Sequence, residues 1–494
     1  MGGGEDHHLP GGLGAELSAP ARELLVTLAG LAREGGWRLW MAGGTVRDML
    51  LGRSSPDLDL AVAGPALELG RALAARTGLT FVPLSRENQT CRLVGRGLQV
   101  DLTGLRAPDL EGDLRARDFT VNALAWDLED LLARRGPIVD PTGGRADLAA
   151  GRLRAAGPGV LRADPLRVLR AFRLLASHGF ELAPELRPRL QAAAPGLFRV
   201  ARERIAQEWR LMLAGAQAGR AVREMERAQV LTRLIPELAR GRGLEQNPYH
   251  HLDILEHNLT TLEELARIAA QPERFLGELG RELSDYLSRP ERRYRLMTAA
   301  LLHDVGKPHT RREKEPGWAT FYRHDIQGAE LAQRACAGLG LSRADTGAVV
   351  DLVALHMRPF HLMGARSRGR LSKRALRRLL QSAGDHLPGL MALALADTMA
   401  GRGPQRPPQA EESLVDLFRL VVRRRDRELA RLLAAPPLID GRELMAATGL
   451  APGPEVGRLL GLVREAQMEG KVGDKDQALV LARRLLAEPG GRSG

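Results

Sequence analysis

The sequence predicts an α/β N-terminal domain followed by an all-α remainder. Two observations carry this. Short runs of alternating apolar and polar residues are confined to roughly the first 145 positions, while from about residue 160 almost every segment has a 3.6-residue apolar period, as in Leu166, Leu169, Phe172 and Leu175. A third, the length of 494 residues, is too great for one ordinary core and predicts two or three folding units. In order, Leu24–Ala32 has helical spacing and Trp37–Ala42 is a short apolar strand broken by Gly43-Gly44. Thr45–Leu51 reads as a helix, and strands recur at Leu58–Ala63 and Leu98–Thr103. Gly401–Gln409, rich in Pro and Gly, reads as a linker, and the first 20 residues and the terminal EPGGRSG read as flexible.

A 44% hydrophobic and 27% charged composition is that of a soluble globular protein, and no apolar run approaches the roughly 18 residues that span a bilayer. The N-terminus lacks a basic stretch followed by an apolar one, so no secretory signal is expected. Two distant cysteines, Cys91 and Cys336, argue against a disulfide framework and point to the cytoplasm. The net charge of +12 suggests a polyanionic partner. Because only five of the 72 basic residues are lysines, a bias toward arginine codons accounts for part of that excess.

In Asp57-Leu58-Asp59-Leu60-Ala61-Val62 the period is two, so Leu58, Leu60 and Val62 face a core and both aspartates share the opposite face. Carboxylates with Cα atoms roughly 6.5 to 7 Å apart repel unless a cation lies between them, and a hard divalent ion suits them. Asp101, in the alternating run Leu98–Thr103, is a candidate third ligand. Such a cluster fits two-metal phosphoryl transfer. The competing reading is that these are ordinary exposed strand residues. The Gly43-Gly44 turn, ending a strand where a helix starts, offers bare N–H groups to phosphate oxygens.

Gly43-Gly44-Thr45-Val46-Arg47-Asp48, Asp57-Leu58-Asp59, Arg117-Asp118-Phe119-Thr120-Val121-Asn122-Ala123, and Asp140-Pro141 with Gly143 and Asp147-Leu148 resemble, in order, the motifs of the class II tRNA nucleotidyltransferase and bacterial poly(A) polymerase family. The resemblance implies a mostly antiparallel head sheet, catalytic Mg²⁺ held by Asp57 and Asp59, and triphosphate contacts from Gly43, Gly44 and Arg47. It implies further that Arg117, Asp118 and Asn122 position the incoming nucleotide; the local alternative for the last two is capping of a helix starting near Thr120. Arg162–Arg170 resembles the family's base-reading segment, implying that Asp164, Arg167 and Arg170 contact the nucleotide. A carboxylate at 164 accepts from an exocyclic amine and a guanidinium at 167 donates to the adjacent ring nitrogen, both on one side of a helical turn. Asp164-Pro165 also suits a plain helix start. Val200–Ile205 with Glu208 resembles the next helical motif.

Ala163 and Ala116 depart from the family pattern, and the segment Arg106–Asp113 is much shorter than the flexible loop of full CCA-adding members. A shortened loop resembles enzymes that add only CC.

Nine of the 12 histidines lie between His250 and His386. Within that stretch Leu301-Leu302-His303-Asp304-Val305-Gly306-Lys307-Pro308 resembles the HD phosphohydrolase signature, and His257, His324, His356 and Asp397 fall where that superfamily places its other ligands. Imidazole and carboxylate ligands suit a divalent transition metal or Mg²⁺. Adjacent His303 and Asp304 cannot share a helix face, but a kinked or two-metal site lets the carboxylate bridge. His178, His361 and His386 are read as structural.

The expected organisation is a tail (1–20), a nucleotidyltransferase head (21–150), a helical neck and body (151–245), an HD domain (246–400), a linker (401–412) and a C-terminal helical region (413–494) that grips RNA. The expected partners are a tRNA 3′ end, CTP and ATP, with no membrane; oligomeric state is left open. The expected reaction adds C and/or A to tRNA. Its rivals are a CC-adding or A-adding partial enzyme, a poly(A) polymerase and, in a different class, an HD phosphohydrolase whose head merely binds RNA.

Overall fold

The computed structural model describes residues 17–315, 318–434, 436–468 and 471–487; the expected tail through residue 16 and the terminal stretch 488–494 lie outside these. Helix α1 (Ala19–Glu34) begins at Ser18, whose hydroxyl accepts from the Ala21 N–H at 3.3 Å, and it buries Leu24, Leu25 and Leu28. There follow β1 (Arg38–Ala42), α2 (Gly44–Leu50), β2 (Asp57–Ala63), α3 (Ala66–Thr77), β3 (Thr80–Ser85), β4 (Thr90–Gly95), β5 (Leu98–Gly104), α4 (Leu110–Arg115), β6 (Ala125–Asp127) and β7 (Ile138–Val139). The strands form one sheet in the order β3-β4-β5-β2-β1-β6-β7. Every neighbouring pair is antiparallel except β2 and β5. This is the expected mixed, mostly antiparallel sheet.

Period-two patterning decides what each face does. Leu58, Leu60 and Val62 join Leu93, Val100 and Leu102 and the apolar sides of α1 and α3 in one core. On the other face Trp40, Ala42, Ala61, Leu114, Ala123 and Ala125 form a smaller cluster, leaving the Asp57 end of that face open. The parallel register sets Asp59 beside Asp101.

Beyond the head the described residues are helical with two exceptions to the all-α expectation. Arg152–Leu153 pairs with Glu181–Leu182, and Arg311–Glu315 forms a hairpin with Trp318–Phe321, where alternation buries Ala319 and Phe321. The helix Arg167–His178 packs against Arg202–Ala214 and Ala218–Arg227, and Pro290–Leu302 packs against Ile254–Ala270 and Arg343–Leu355.

The chain forms two compact units, and it last passes from one to the other between Arg406 and Pro407, inside the expected linker. One compact unit runs to His356 and takes back Ala396–Arg406; the other holds Met357–Leu395 and the chain from Pro407 onward. The supposed linker is therefore partly structural. Gly403 N–H donates to Tyr249 O at 2.9 Å, Gln405 N–H to Pro248 O at 3.1 Å and Arg402 N–H to His251 Nδ1 at 3.2 Å, which pins residues 402–405 to the 248–251 loop. In the second unit Gly441–Thr448, Pro454–Met468 and Lys475–Ala487 enclose their own core of Leu444, Leu459, Val463, Ala478 and Ala482. Among the described residues no helix is long and apolar enough to cross a membrane. Cys91 and Cys336 are buried and unpaired.

Candidate active site and metal centre

The head site is built on the β1–α2 turn. Gly43 takes φ +71°, a left-handed conformation that favours glycine, and a Cβ there would stand 2.5 Å from Arg117 Nη1 and 3.8 Å from Asp59 Oδ2. The turn thus touches both a carboxylate and a guanidinium. Thr45, two residues on, ties α2 to β2: its hydroxyl donates to Asp57 O at 3.2 Å and accepts from the Asp59 N–H at 2.9 Å. The carboxylates of Asp57 and Asp59 have no hydrogen-bonding partner among the described residues. Burial, followed by the charges of Asp101 and Asp57, pushes the Asp59 carboxyl up to about 6 in spite of Arg117 and Arg47.

Asp101 departs from the expectation of a free third ligand. Arg92, opposite it in the β4–β5 register, donates through Nε and Nη2 to its two oxygens, each at 2.8 Å. The arginine was legible in principle: in Thr90–Val94 the buried Cys91 and Leu93 turn Arg92 to the aspartate face.

Around the turn the motif residues form one continuous network. Buried Arg47 gives Nε and Nη2 to Asp48, each at 2.9 Å, and Nη1 to Asn122 Oδ1 at 2.6 Å, leaving an N–H on each terminal nitrogen for a ligand. Asn122 Nδ2 donates to Asp118 Oδ1 at 3.0 Å, and Arg170 links Asp118 Oδ2 (3.1 Å) to Glu208 (3.3 Å). Burial alone would raise the Asp118 pKa, but Arg170, Asn122 and the Phe119 N–H hold it below the usual carboxylate range. Asp118 caps no helix, since Phe119 precedes the short 3₁₀ turn Thr120–Asn122 without a side-chain cap. His178, read as structural, reaches Asp48 Oδ1 at 3.0 Å through Nε2. Asp140 and Asp147 are scaffold: the first accepts from the N–H groups of Thr142, Gly144 and Arg145, the second from Thr120 and Arg154.

One short helix ends at Ala163 and the next runs from Arg167, and the turn between them is closed by the Arg167 N–H donating to Asp164 O at 3.1 Å, so Asp164 and Arg167 bracket a single turn and Asp164-Pro165 also makes a plain helix start. Asp164 accepts from the Leu166 N–H and from Arg204, both at 3.1 Å, and Arg167 donates to Ala116 O at 3.0 Å and Val160 O at 3.3 Å. Arg106–Asp113 is not a free loop. Asp109 caps α4 by accepting from Gly112 N–H at 2.7 Å, and Asp113 Oδ1 accepts from Arg106 N–H at 3.1 Å.

The second site gathers all six expected residues. His303 ends the helix Pro290–Leu302, so the chain kinks there and Asp304 turns into the same cavity. His257, His303 and Asp304 place ligand atoms within 4.8 Å of one another, and so do Asp304, His324 and His356. Asp304 is common to both sets, so it would serve an ion held by either. Asp397 Oδ1 lies 3.0 Å from His257 Nε2 and 3.8 Å from His303 Nε2. Nδ1 of His303, His324 and His356 sits 2.8, 2.7 and 2.6 Å from the carbonyls of Ala300, Phe321 and Val353. A carbonyl only accepts, so each Nδ1 donates to it and each ring turns Nε2 inward, toward the carboxylates. Buried His303 Nε2 lies 3.3 Å from Asp304 Oδ2. Burial would lower the His303 pKa, yet Asp304 and Asp397 raise it to about 10, so the cluster draws positive charge. Lys307 Nζ, 2.6 Å from Asp304 Oδ2, supplies part of it.

Residues 39–154 match the poly A polymerase head domain, 179–241 the probable RNA and SrmB-binding site of polymerase A, and 254–400 the HD domain. The chain is 35% identical over 457 residues to an A-adding tRNA nucleotidyltransferase of Deinococcus radiodurans, covering 91% of this chain and 96% of that one. It belongs to the tRNA nucleotidyltransferase family. A CC-adding tRNA nucleotidyltransferase of Thermus thermophilus is equally similar, at 35% over 457 residues, with 91% and 93% covered. The fold matches that of a Thermotoga maritima CCA-adding enzyme complexed with tRNA, at TM-score 0.56 and 20% identity over 95% of this chain and 96% of that one. For this nucleotidyltransferase-family chain, sequence reading missed Arg92, the Thr45 clamp, the anchoring role of Glu208 and His178 as the support of Asp48. Only Arg92 had a signal in its alternation; the other three depend on tertiary contacts.

Proposed function

We propose that this chain adds C or A to the 3′ end of tRNA without a template, joining the RNA 3′-hydroxyl to the α-phosphate of CTP or ATP and releasing pyrophosphate. The observation that carries it is the pair of unpartnered carboxylates, Asp57 and Asp59, set against the Gly43-Gly44 turn between Arg47 and Arg117. Asp57 and Asp59 fit Mg²⁺, being hard oxygen donors without another partner, and when bound the ion supplies activation of the hydroxyl and charge neutralisation on the triphosphate. The chain's own residues do the rest. The Gly43 N–H is given to Leu124 O at 3.0 Å, so Gly44 brings the backbone N–H up to the phosphates, Arg117 and the remaining N–H groups of Arg47 neutralise them, and Asp118, Asn122 and Arg170 hold Arg47 in place. Asp164 and Arg167 meet the base edge from the turn that opens the helix, so Arg204 must yield one oxygen of Asp164 to the incoming base.

A narrower reading, addition of CC alone or of A alone, is favoured by the tight capping of Arg106–Asp113, which leaves no long loop to reshape the pocket between C and A. In the second site His257, His303, Asp304, His324, His356 and Asp397 fit one or two divalent ions, and a phosphohydrolase acting on RNA termini in the cytoplasm is the activity that suits them. Purified protein, tRNA ending at the discriminator base and labelled CTP or ATP test the main reading. C or A is incorporated at the 3′ end and sequencing shows which; no incorporation from either nucleotide overturns it.

A further inference from the structure

One charged pair stands outside the proposed reaction, though it touches its centre. The strand registers align Asp59 with Asp101 across β2–β5, Asp101 with Arg92 across β4–β5, and Arg92 with Val82 across β3–β4, so all four lie in one row on the same face of the sheet. Three carboxylates, Asp57, Asp59 and Asp101, crowd the open end of that face. Among the described residues the carboxylates of Asp57 and Asp59 accept no hydrogen bond, whereas both oxygens of Asp101 accept from the Arg92 fork at 2.8 Å. A planar fork meeting a carboxylate in this bidentate way uses the lone pairs that a metal ion would need. The arginine charge therefore occupies the place in the row where a cation relieves the repulsion.

We infer that Arg92 is a built-in counter-ion that competes with the divalent cation for Asp101 and so sets how tightly the head holds metal before nucleotide arrives. The inference rests on the reading of Asp57 and Asp59 as the head's metal ligands. It makes Arg92 a positioning residue. With Arg92 in place the protein offers two open carboxylates, enough to hold an ion that arrives with its own triphosphate oxygens and too few to hold a bare one firmly. A merely structural cross-strand pair would steady the hairpin and leave metal affinity alone, which separates the two roles.

The test is Mn²⁺ binding to the full-length protein without nucleotide, followed by electron paramagnetic resonance of the free ion. The head's share is the binding lost on Asp59→Asn, since the HD residues also offer ligands. Arg92→Leu tightens that share by roughly three- to tenfold, as removing a unit charge beside a divalent ion and freeing a carboxylate should. Arg92→Gln, which keeps a polar contact without the charge, gives a smaller tightening and covers the case in which the leucine variant fails to fold. Adding Asp101→Asn to either variant abolishes the gain. A dissociation constant unchanged or weakened in Arg92→Gln and Arg92→Leu overturns the inference while leaving the head reading intact. If Asp59→Asn removes no Mn²⁺ binding, the carboxylate pair is no metal site, and the reading and the inference fall together.

Discussion

On the proposed reading the head and the HD cluster solve the same problem, how to hold a cation among carboxylates, in opposite ways. In the head the proposed ligands Asp57 and Asp59 have no hydrogen-bonding partner among the described residues, at the open end of a sheet face, while Arg47 and Arg170 are fixed by a buried network. In the HD cluster the ligands themselves are buried and oriented, three imidazoles by backbone carbonyls and Asp304 by its place at a helix end. The lesson is that preorganisation goes to whichever partner the substrate does not bring. A triphosphate carries oxygen ligands with it, so the head can leave the ion loosely provided for; a cluster that binds ions on its own must supply the full set.

The largest expected effect breaks the two apart. Asp59→Ala lowers nucleotide incorporation by on the order of a thousandfold or more, as loss of a catalytic metal ligand should, and leaves hydrolysis of a generic phosphodiester unchanged. His303→Ala does the reverse. Loss of both activities in either variant, measured side by side on one preparation, would mean that the sites are not independent.

Metal removal comes next. Because the HD ligands are buried and charged, stripping ions with a chelator lowers the melting temperature, and restoring a divalent metal at about 100 times its dissociation constant returns roughly 2.7 kcal/mol. In Asp304→Asn the chelator has little further effect. Equal chelator sensitivity in Asp304→Asn and the parent chain would show that the ion stabilising the fold sits elsewhere.

What could be read in advance follows the same division. Asp57, Asp59 and Asp101 were legible because a strand's period of two fixes which residues share a face, and the six HD positions because motif order survives without knowledge of the fold. The Arg47–Asn122–Asp118–Arg170–Glu208 network was not, since it joins residues 75, 52 and 38 positions apart. The tethering of residues 402–405, within the expected linker, has the same cause. Pro and Gly mark an irregular backbone, and whether it is loose depends on the Pro248, Tyr249 and His251 contacts that sequence does not display.

A smaller effect concerns the frame beneath the HD cluster. Asp345 is buried and accepts from Tyr294 Oη at 2.5 Å, Arg295 Nε at 2.8 Å, Arg210 Nη2 at 3.0 Å and Ser342 Oγ at 2.7 Å. Burial pushes its pKa up, but the Tyr294, Ser342 and Arg295 hydrogen bonds bring it down to about 2. A folded pKa below the unfolded value of about 3.9 gives stability that is present above that value and is lost as pH falls from about 4 toward 2. Asp345→Asn should cost about 2 kcal/mol at neutral pH and flatten that acid limb in denaturant titrations. An unaltered acid limb would remove Asp345 from the account.

The smallest effect sharpens the head side of the comparison. If the arginines rather than the carboxylates are preorganised there, loosening a distant support of Arg47 should weaken nucleotide binding without touching chemistry. His178 is such a support: it bonds Asp48, which holds the Arg47 fork, and its ring stacks on Phe180 with centroids 5.4 Å apart. His178→Ala leaves Asp48 paired with Arg47 but free to shift. The expected result is a KM for nucleotide raised about two- to fivefold, the equivalent of a hydrogen bond worth about 0.5 to 1 kcal/mol, with kcat nearly unchanged. A fall in kcat at constant KM would place the network's influence in the transition state instead, and would mean that Arg47 meets the triphosphate only as the leaving oxygen departs.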